Sequence, residues 1–172
     1  MIELLRTRRS IRKYTEQKIE PEKLEILKEA VLRSPSSKAI NPWKFIFIDD
    51  REMIQKLKSF KPTGTAPLET APLAVVFCAD ETVNDAWVED CSIAAIILQL
   101  TAHSLGLGSC WIHVHYRMYS ETVTSEKYIQ DLLSIPAYFR VLCAISAGYP
   151  AKPAKGRPFE DLQFEKIRIN KF

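Results

Sequence analysis

The sequence has no run of apolar residues long enough to cross a membrane and no recognisable leader segment. Its longest candidate run, from Ile93 to Leu98, ends at Gln99, far short of the roughly 18–20 residues that a span needs. The N-terminus carries Glu3 and several arginines in place of the apolar core of a secretory signal. We therefore expect a cytoplasmic protein without a membrane partner.

Short catalytic and metal-binding motifs are also missing. There is no GxSxG, HExxH, Walker loop, GxGxxG or CxxC pattern. The cysteines are few, widely spaced and set in apolar runs, so we expect buried reduced thiols at Cys78, Cys91, Cys110 and Cys143. His113 and His115 could share one strand face, but no third ligand is positioned nearby, and we expect no metal site.

The composition indicates one globular domain over residues 1–172. Hydrophobic residues make up 47% and charged residues 26% of the chain, which excludes a disordered protein. No internal repeat, low-complexity tract or linker divides the sequence, and its length suits a single core.

Positive charge is concentrated at one end of the chain. The net charge is +3, but residues 1–13 alone carry +4 and the remainder sums to −1. A protein that coats nucleic acid spreads its basic charge over a face, whereas a dense cluster suits one small anion. We therefore expect no nucleic-acid partner.

Helix-like and strand-like segments alternate without a regular βαβ series, which predicts an α+β layered fold. Helices are predicted at 2–7, 21–33, about 51–60, 87–105 and 125–133; strands are predicted at 43–49, 73–79, 109–114, 139–147 and 164–169. Asn84 or Asp85 is expected to cap the long fourth helix. Because that helix is apolar on most faces from Ile93 to Leu100, it either crosses the domain centre or packs on a partner subunit.

Four segments have residues suited to ligand binding, and each has an ordinary structural alternative. Closely spaced guanidinium and hydroxyl groups could bind a phosphomonoester, or could form a solvated basic terminus. The short polar residues of the second segment could line a ligand or form a simple turn. The glycines of the third could let the backbone approach a flat ligand or could stop a helix. The basic pair of the fourth could add positive charge to the first cluster or could belong to an exposed loop. In order, the segments are Arg8-Arg9-Ser10-Ile11-Arg12, Pro35-Ser36-Ser37 with Asn41-Pro42-Trp43, Gly106-Leu107-Gly108-Ser109-Cys110-Trp111-Ile112, and Lys155-Gly156-Arg157.

Together with Gly148-Tyr149-Pro150, these segments make the chain resemble the FMN-dependent nitroreductase family in motif order and spacing. The resemblance implies an α+β fold with a mostly antiparallel central sheet flanked by helices. It also implies a homodimer in which both subunits build each FMN site, with the long apolar helix at the dimer seam.

The resemblance assigns cofactor contacts to matching positions. The phosphate would be held by Arg8, Ser10 and Arg157, with Arg9 and Lys155 beside them. The flavin would be lined by Pro35, Ser36 and Ser37, by the loop position Asn41, and by backbone around Gly106 and Gly108. Arg12 would lie near flavin N1, where a cation raises the electron affinity of the ring.

The activity implied is a ping-pong transfer of electrons from NADH or NADPH through flavin N5 to a nitroaromatic, a quinone or a similar small acceptor. Since the cofactor carries this chemistry, no catalytic side chain is expected. The alternative is a flavin-binding module without turnover, such as a sensor or carrier.

The chain departs from the family pattern in its serine loop, where Ala39 and Asn41 stand at positions often occupied by Asn and Gln. The segment from His113 to Thr124 is the expected acceptor pocket. Gly64 and Thr65 are the nearest candidates for a polar flavin partner before the second strand.

Overall fold

A four-stranded antiparallel sheet with helices on both faces organises the computed structural model, which describes residues 1–172. The helices are α1 (Ile2–Thr7), α2 (Pro21–Leu32), α3 (Arg51–Lys58), α4 (Trp87–Ser104) and α5 (Ser125–Leu133). The strands are β1 (Trp43–Ile48), β2 (Leu73–Asp80), β3 (Gly108–His113) and β4 (Phe139–Gly148). The α+β class and the antiparallel sheet predicted from the sequence are thus confirmed.

The strand order is β1-β2-β4-β3, so β2 and β4 are central and β1 and β3 form the edges. Phe77 lies opposite Phe45 on β1 and Cys143 on β4, and Trp111 on β3 lies opposite Ile145. The two central strands are buried along nearly their whole length, as their continuous apolar sequences require.

Each face of the sheet has its own hydrophobic layer. On one face, α2 and α4 cover inward-facing residues that include Leu73, Val75, Phe77, Leu98 and Ile145. On the other face, α3 and α5 cover a second layer that includes Ile54, Leu57, Val76, Ile112 and Ile129. Residues of β2 alternate between the two layers, as the two-residue period of a strand dictates.

Helix α4 is buried on most of its surface, with Cys91, Ala94, Ala95 and Leu98 fully enclosed. Of the two readings of its apolar sequence, the position at the domain centre is confirmed, and packing on a partner subunit stays a prediction. It packs on the sheet and on α2, but Ile93 and Ile96 on a further face remain 38% and 39% exposed.

The predicted side-chain cap of α4 is wrong. Ala86 occupies the N-cap position and provides no side-chain hydrogen bond. Asn84 instead donates its amide to the Asp90 carboxylate at 2.6 Å, so this residue is used for a buried polar contact. Asp50 caps α3, where its carboxylate accepts from the Met53 N–H at 2.7 Å.

The predicted strand at residues 164–169 is also wrong. The segment contains a single 3-10 turn at Phe164–Lys166, and every residue from 157 onward is exposed. The alternating pattern suits a half-exposed strand, but no sheet edge within the chain pairs with it. Phe159, Phe164, Ile167 and Ile169 are left between 53% and 79% exposed.

All four cysteines are free and buried, which confirms the expectation of reduced core thiols. Burial raises the pKa of Cys78 to about 12 and raises the pKa of Cys143 well above its usual range. None of the helices is long and apolar enough to span a bilayer.

A half-buried carboxylate joins α5 to the central strand β4. Glu126 accepts two hydrogen bonds from the Arg140 guanidinium, at 2.9 and 2.8 Å, and a third from the Val141 N–H at 2.6 Å. Its side chain is only 12% exposed. Paired charge-assisted bonds of this geometry are among the stronger polar contacts in proteins.

We predict that Glu126→Gln lowers the free energy of unfolding by about 2 kcal/mol, because the amide leaves part of the Arg140 fork without an acceptor. Urea denaturation of the variant measures this change. Glu121→Gln, at an exposed position of the preceding loop, is the matched control and is expected to stay within about 0.5 kcal/mol of the parent. Equal stabilities for the two variants would contradict the assignment.

Candidate functional site

The N-terminal arginine segment lies along the free edge of β3. Ser10 forms a parallel bridge with Ser109, and the Ile11 N–H donates to the Ser109 carbonyl at 2.9 Å. The approach is so close that a Cβ on Gly108 would lie 2.5 Å from the Ile11 side chain. Two of the sequence-predicted segments are therefore in direct contact, and Gly108 has a packing role there.

The same segment continues into the Gly148-Tyr149-Pro150 turn. The Thr15 N–H donates to the Tyr149 carbonyl at 2.9 Å, and the Ala151 N–H donates to the Lys13 carbonyl at 3.0 Å. Tyr14, which is buried, donates its hydroxyl to the Ile11 carbonyl at 2.6 Å. These bonds fix the chain on both sides of the arginines.

The C-terminal basic pair is brought to the same place. A Cβ on Gly156 would lie 1.8 Å from the Arg6 carbonyl oxygen, so only glycine lets this loop touch the end of α1. Lys155 and Arg157 therefore flank a contact two residues before Arg8. The two basic segments, about 150 residues apart in sequence, converge in the fold.

Charges near β3 also affect the pKa of Cys110. Burial raises the pKa of the Cys110 thiol, while the charges of Arg12, Arg8 and Lys61 lower it in turn. Two cations of the arginine segment and Lys61, from the loop after α3, thus act on the same residue of β3. None of the three forms an ion pair with a carboxylate, so their charge is available to an anion.

Lys61 was missed by the sequence reasoning, which considered Gly64 and Thr65 instead. Its ammonium group donates to the His113 carbonyl at 2.9 Å, whereas Thr65 is buried and Gly64 sits in a turn with φ +81°. Lys61 belongs to no recognisable motif. Its position just after an amphipathic helix, in a loop containing proline and glycine, was the only available signal.

Gly106 is used to end α4. With φ +78°, it follows the helix in the left-handed conformation, and the Leu107 N–H donates to the Ala102 carbonyl at 2.9 Å. This is the backbone pattern of a glycine helix stop. The helix-stop alternative considered for this segment therefore applies to Gly106, and a flavin contact there stays a prediction.

The serine loop is held by hydrogen bonds within itself and to α4. Ser36 donates its hydroxyl to the Asn41 side-chain oxygen at 2.8 Å, and the Asn41 N–H donates back to that hydroxyl at 2.9 Å. The Ser37 N–H donates to the Asp90 carboxylate at 2.8 Å. Lys38, Ala39 and Asn41 have φ of 53–54°, which is costly for residues other than glycine. Such strain clusters where ligands are bound.

Within a single chain, the serine loop and the arginine cluster are anchored at different ends of α4. Ser37 is anchored at Asp90, whereas Thr7, next to Arg8, contacts His103 of the same helix at 2.8 Å. These anchor points are thirteen residues apart on α4, which corresponds to about 20 Å along its axis. Pro35, Ser36 and Ser37 therefore form a second surface, distant from the first.

The segment after β3 is built from aromatic contacts. His115 lies between Trp87 and Tyr116, with ring centroids 5.0 and 3.8 Å away. His113 instead stacks on Trp111, so the two histidines contact different rings. Burial lowers the pKa of both imidazoles. No cluster of three potential metal ligands is present in the structure.

A sequence profile of the nitroreductase family matches residues 5–149, which include the arginine segment, the serine loop and β3. The chain belongs to the nitroreductase family. An FMN-dependent nitroreductase from Clostridium difficile R20291 is 45% identical, and the two chains cover each other fully with a TM-score of 0.98.

Two further relatives of this nitroreductase-family chain come from an archaeon and a bacterium. A protein of Methanothermobacter thermautotrophicus, provisionally named NADH dehydrogenase/NAD(P)H nitroreductase, is 37% identical over all of this chain and 87% of its own length. The FMN reductase [NAD(P)H] of Bacillus subtilis is 28% identical over 92% of this chain and 69% of its own.

We predict that Asp90→Ala lowers the free energy of unfolding of this family member by about 2–3 kcal/mol. Asp90 is 2% exposed, and its loss leaves the Ser37 N–H and the Asn84 amide buried without their acceptor. Thermal unfolding measures the effect. Glu89→Ala, at the adjacent exposed position, is the control, and a Tm equal to that of Glu89→Ala would contradict the anchoring role of Asp90.

Proposed function

We propose that the protein is an FMN-dependent oxidoreductase that passes electrons from NADH or NADPH to a small aromatic acceptor. The observation that supports this most directly is the placement of the arginine cluster at the edge of β3, where the Ile11 N–H donates to the Ser109 carbonyl at 2.9 Å, with the Gly156 loop packed against the Arg6 carbonyl. The names of the relatives, which include an FMN-dependent nitroreductase and an FMN reductase, support the same activity.

The residues of this cluster suit a flavin mononucleotide. A phosphomonoester carries about −1.5 to −2 charge at neutral pH, which two arginines can match. We assign the phosphate to Arg8, Ser10 and Arg157, with Arg9 and Lys155 adding positive charge. Arg157 donates to the Asp161 carbonyl and makes no ion pair, so its charge is not neutralised.

Lys61 is bound at the end of β3 through the His113 carbonyl, and we assign Arg12 with it to the flavin ring. A cation close to the ring stabilises the negative charge that a flavin gains near N1 on reduction. When bound, FMN supplies the redox chemistry, accepting a hydride from the nicotinamide and passing electrons to the acceptor in a ping-pong cycle. The side chains bind and orient, and none need act as a general acid or base.

We further propose that the site is completed in a homodimer. The serine loop and the arginine cluster are held about 20 Å apart along α4, so residues 35–37 of one chain would meet the cluster of another. Ile93 and Ile96 leave α4 partly uncovered, and Ile2 and Leu5 of α1 are more than half exposed. Apolar surface of this extent is typical of a subunit contact.

The same arrangement supports one domain over residues 1–172, because both hydrophobic layers share the one sheet. The edge strands β1 and β3 belong to this same four-stranded sheet. The exposed C-terminal segment is attached at Gly156, against the Arg6 carbonyl, and we assign its Arg157 to the cluster.

The proposal predicts that purified protein is yellow and that anaerobic NADH bleaches the flavin absorbance. In the double variant Arg8→Ala with Arg157→Ala, FMN affinity is expected to fall about a hundredfold, since each lost charge-assisted contact weakens binding substantially. Flavin fluorescence titration measures this affinity, and circular dichroism checks that the apoprotein is folded.

Lys152→Ala, an exposed basic residue in the same C-terminal segment, is the matched control and should bind FMN like the parent. Unchanged affinity in the double variant would reject the phosphate assignment. A yellow protein that NADH cannot reduce would indicate the flavin-binding module instead of the enzyme.

For the dimer, we predict that Ile96→Glu shifts the protein towards monomer, because a carboxylate would enter an apolar contact. Sedimentation velocity at several concentrations measures the association. Tyr138→Glu, at a position that is 53% exposed against 39% for Ile96 and that lies on the α5 side of the sheet, is expected to leave the assembly intact. A monomeric parent protein, or equal assembly of both variants, would contradict the shared site.

A further inference from the structure

Beyond the arginine cluster, a second cationic region lies at the far end of β3. Lys61 is half-buried and donates to the His113 carbonyl at 2.9 Å, with its ammonium 5.4 Å from the centre of the Phe60 ring. Arg117 lies four residues after the end of β3 and is held in a turn by its N–H bond to the Val114 carbonyl at 2.9 Å. Both side chains therefore belong to the rim of β3.

These two cations have no acidic partner. Neither Lys61 nor Arg117 forms an ion pair in the structure. Burial lowers the pKa of Lys61, and the like charge of Arg117 lowers it further, because it disfavours the protonated ammonium. An anion placed between them would relieve this repulsion.

A flat aromatic surface adjoins the cations. The Trp111 and His113 rings are stacked with centroids 6.2 Å apart and an angle of 18°, and both side chains are half-buried. Burial, Arg117 and Lys61 each lower the pKa of His113, which keeps its ring neutral at pH 7. The pair can therefore pack against an aromatic ligand without adding charge.

β3 is an edge strand, so one side of its backbone has no neighbouring strand beside Trp111. The Ser109 carbonyl is occupied by Ile11 and the His113 carbonyl by Lys61, so these groups face the free edge of β3. Trp111 lies midway between them and faces the same edge, because main-chain direction alternates along a strand. The edge between the arginine cluster and Lys61 is about 13 Å long, enough for a ring system.

We propose that Lys61 and Arg117 recognise a carboxylate on the acceptor, and that the enzyme prefers anionic aromatic acceptors over neutral ones of the same shape. This inference rests on the proposed oxidoreductase function. The acceptor ring packs near the Trp111–His113 pair and its carboxylate lies between the two cations. Lys61 is thus shared between the flavin end of β3 and the acceptor end.

The preference can be measured with two nitroaromatic compounds that differ in charge. In each turnover NADH and one proton reduce the nitro group to a nitroso group, giving NAD+ and water. 4-Nitrobenzoate carries the carboxylate, and 4-nitrobenzamide is its neutral analogue. We expect the parent enzyme to show a higher kcat/KM for the anion, mainly through a lower KM.

In Arg117→Gln and in Lys61→Gln, the ratio of the two kcat/KM values is expected to fall about tenfold, because one charge-assisted contact to the carboxylate is lost. Taking the ratio on FMN-loaded protein cancels any change in flavin content or intrinsic reactivity. Lys44→Gln, an exposed lysine on the opposite edge strand, is the matched control and should retain the parent ratio.

Binding without turnover gives a second measurement. Benzoate is expected to bind the oxidised holoenzyme more tightly than benzamide by calorimetry, and Arg117→Gln is expected to remove the difference. Equal ratios in parent and variants, or equal binding of benzoate and benzamide, would overturn the proposal. A variant that raises the KM for NADH and leaves the acceptor ratio unchanged would overturn it too, by assigning the cations to the dinucleotide.

Failure of the acceptor proposal can be separated from failure of the proposed function. A protein that is reduced by NADH and reoxidised by a neutral quinone retains the oxidoreductase function whatever its acceptor preference. A protein that NADH does not reduce has lost the function on which this inference rests.

Discussion

The close approach of residues 8–15 to the edge of the sheet is the contact on which the candidate site depends. Because Gly108 has no side chain, Ile11 packs directly against its backbone. The Tyr14 hydroxyl donates a hydrogen bond to the Ile11 carbonyl and holds it in place. Because these contacts are backbone and core contacts, the arginines between them are positioned without using their own charges. Their guanidinium groups therefore remain free for a ligand.

Most elements could be predicted because their signals are local. Pro21, Asp50 and Gly106 mark helix ends by their own backbone chemistry, and α5 lies where the sequence predicted it. The failures depend on distant groups. Asn84 was available as a cap but pairs with a buried carboxylate, and residues 164–169 alternate like a strand but find no edge to pair with in their own chain.

The site was predictable to a similar extent. Motifs identified the two basic segments and the serine loop, but not that the two are anchored on α4 at points about 20 Å apart. That distance follows from the length of α4, which no motif records. Lys61 could not be found because a lone lysine in a loop carries no pattern; only its bond to the His113 carbonyl reveals its place.

The cysteines have a consequence of a different kind. All four thiols are enclosed, and burial raises the pKa of each, so almost no thiolate is exposed to solvent at neutral pH. Alkylating reagents and peroxides react with thiolates, so the folded chain is chemically shielded from both. The rate at which a maleimide labels the protein would accordingly report how often its interior opens.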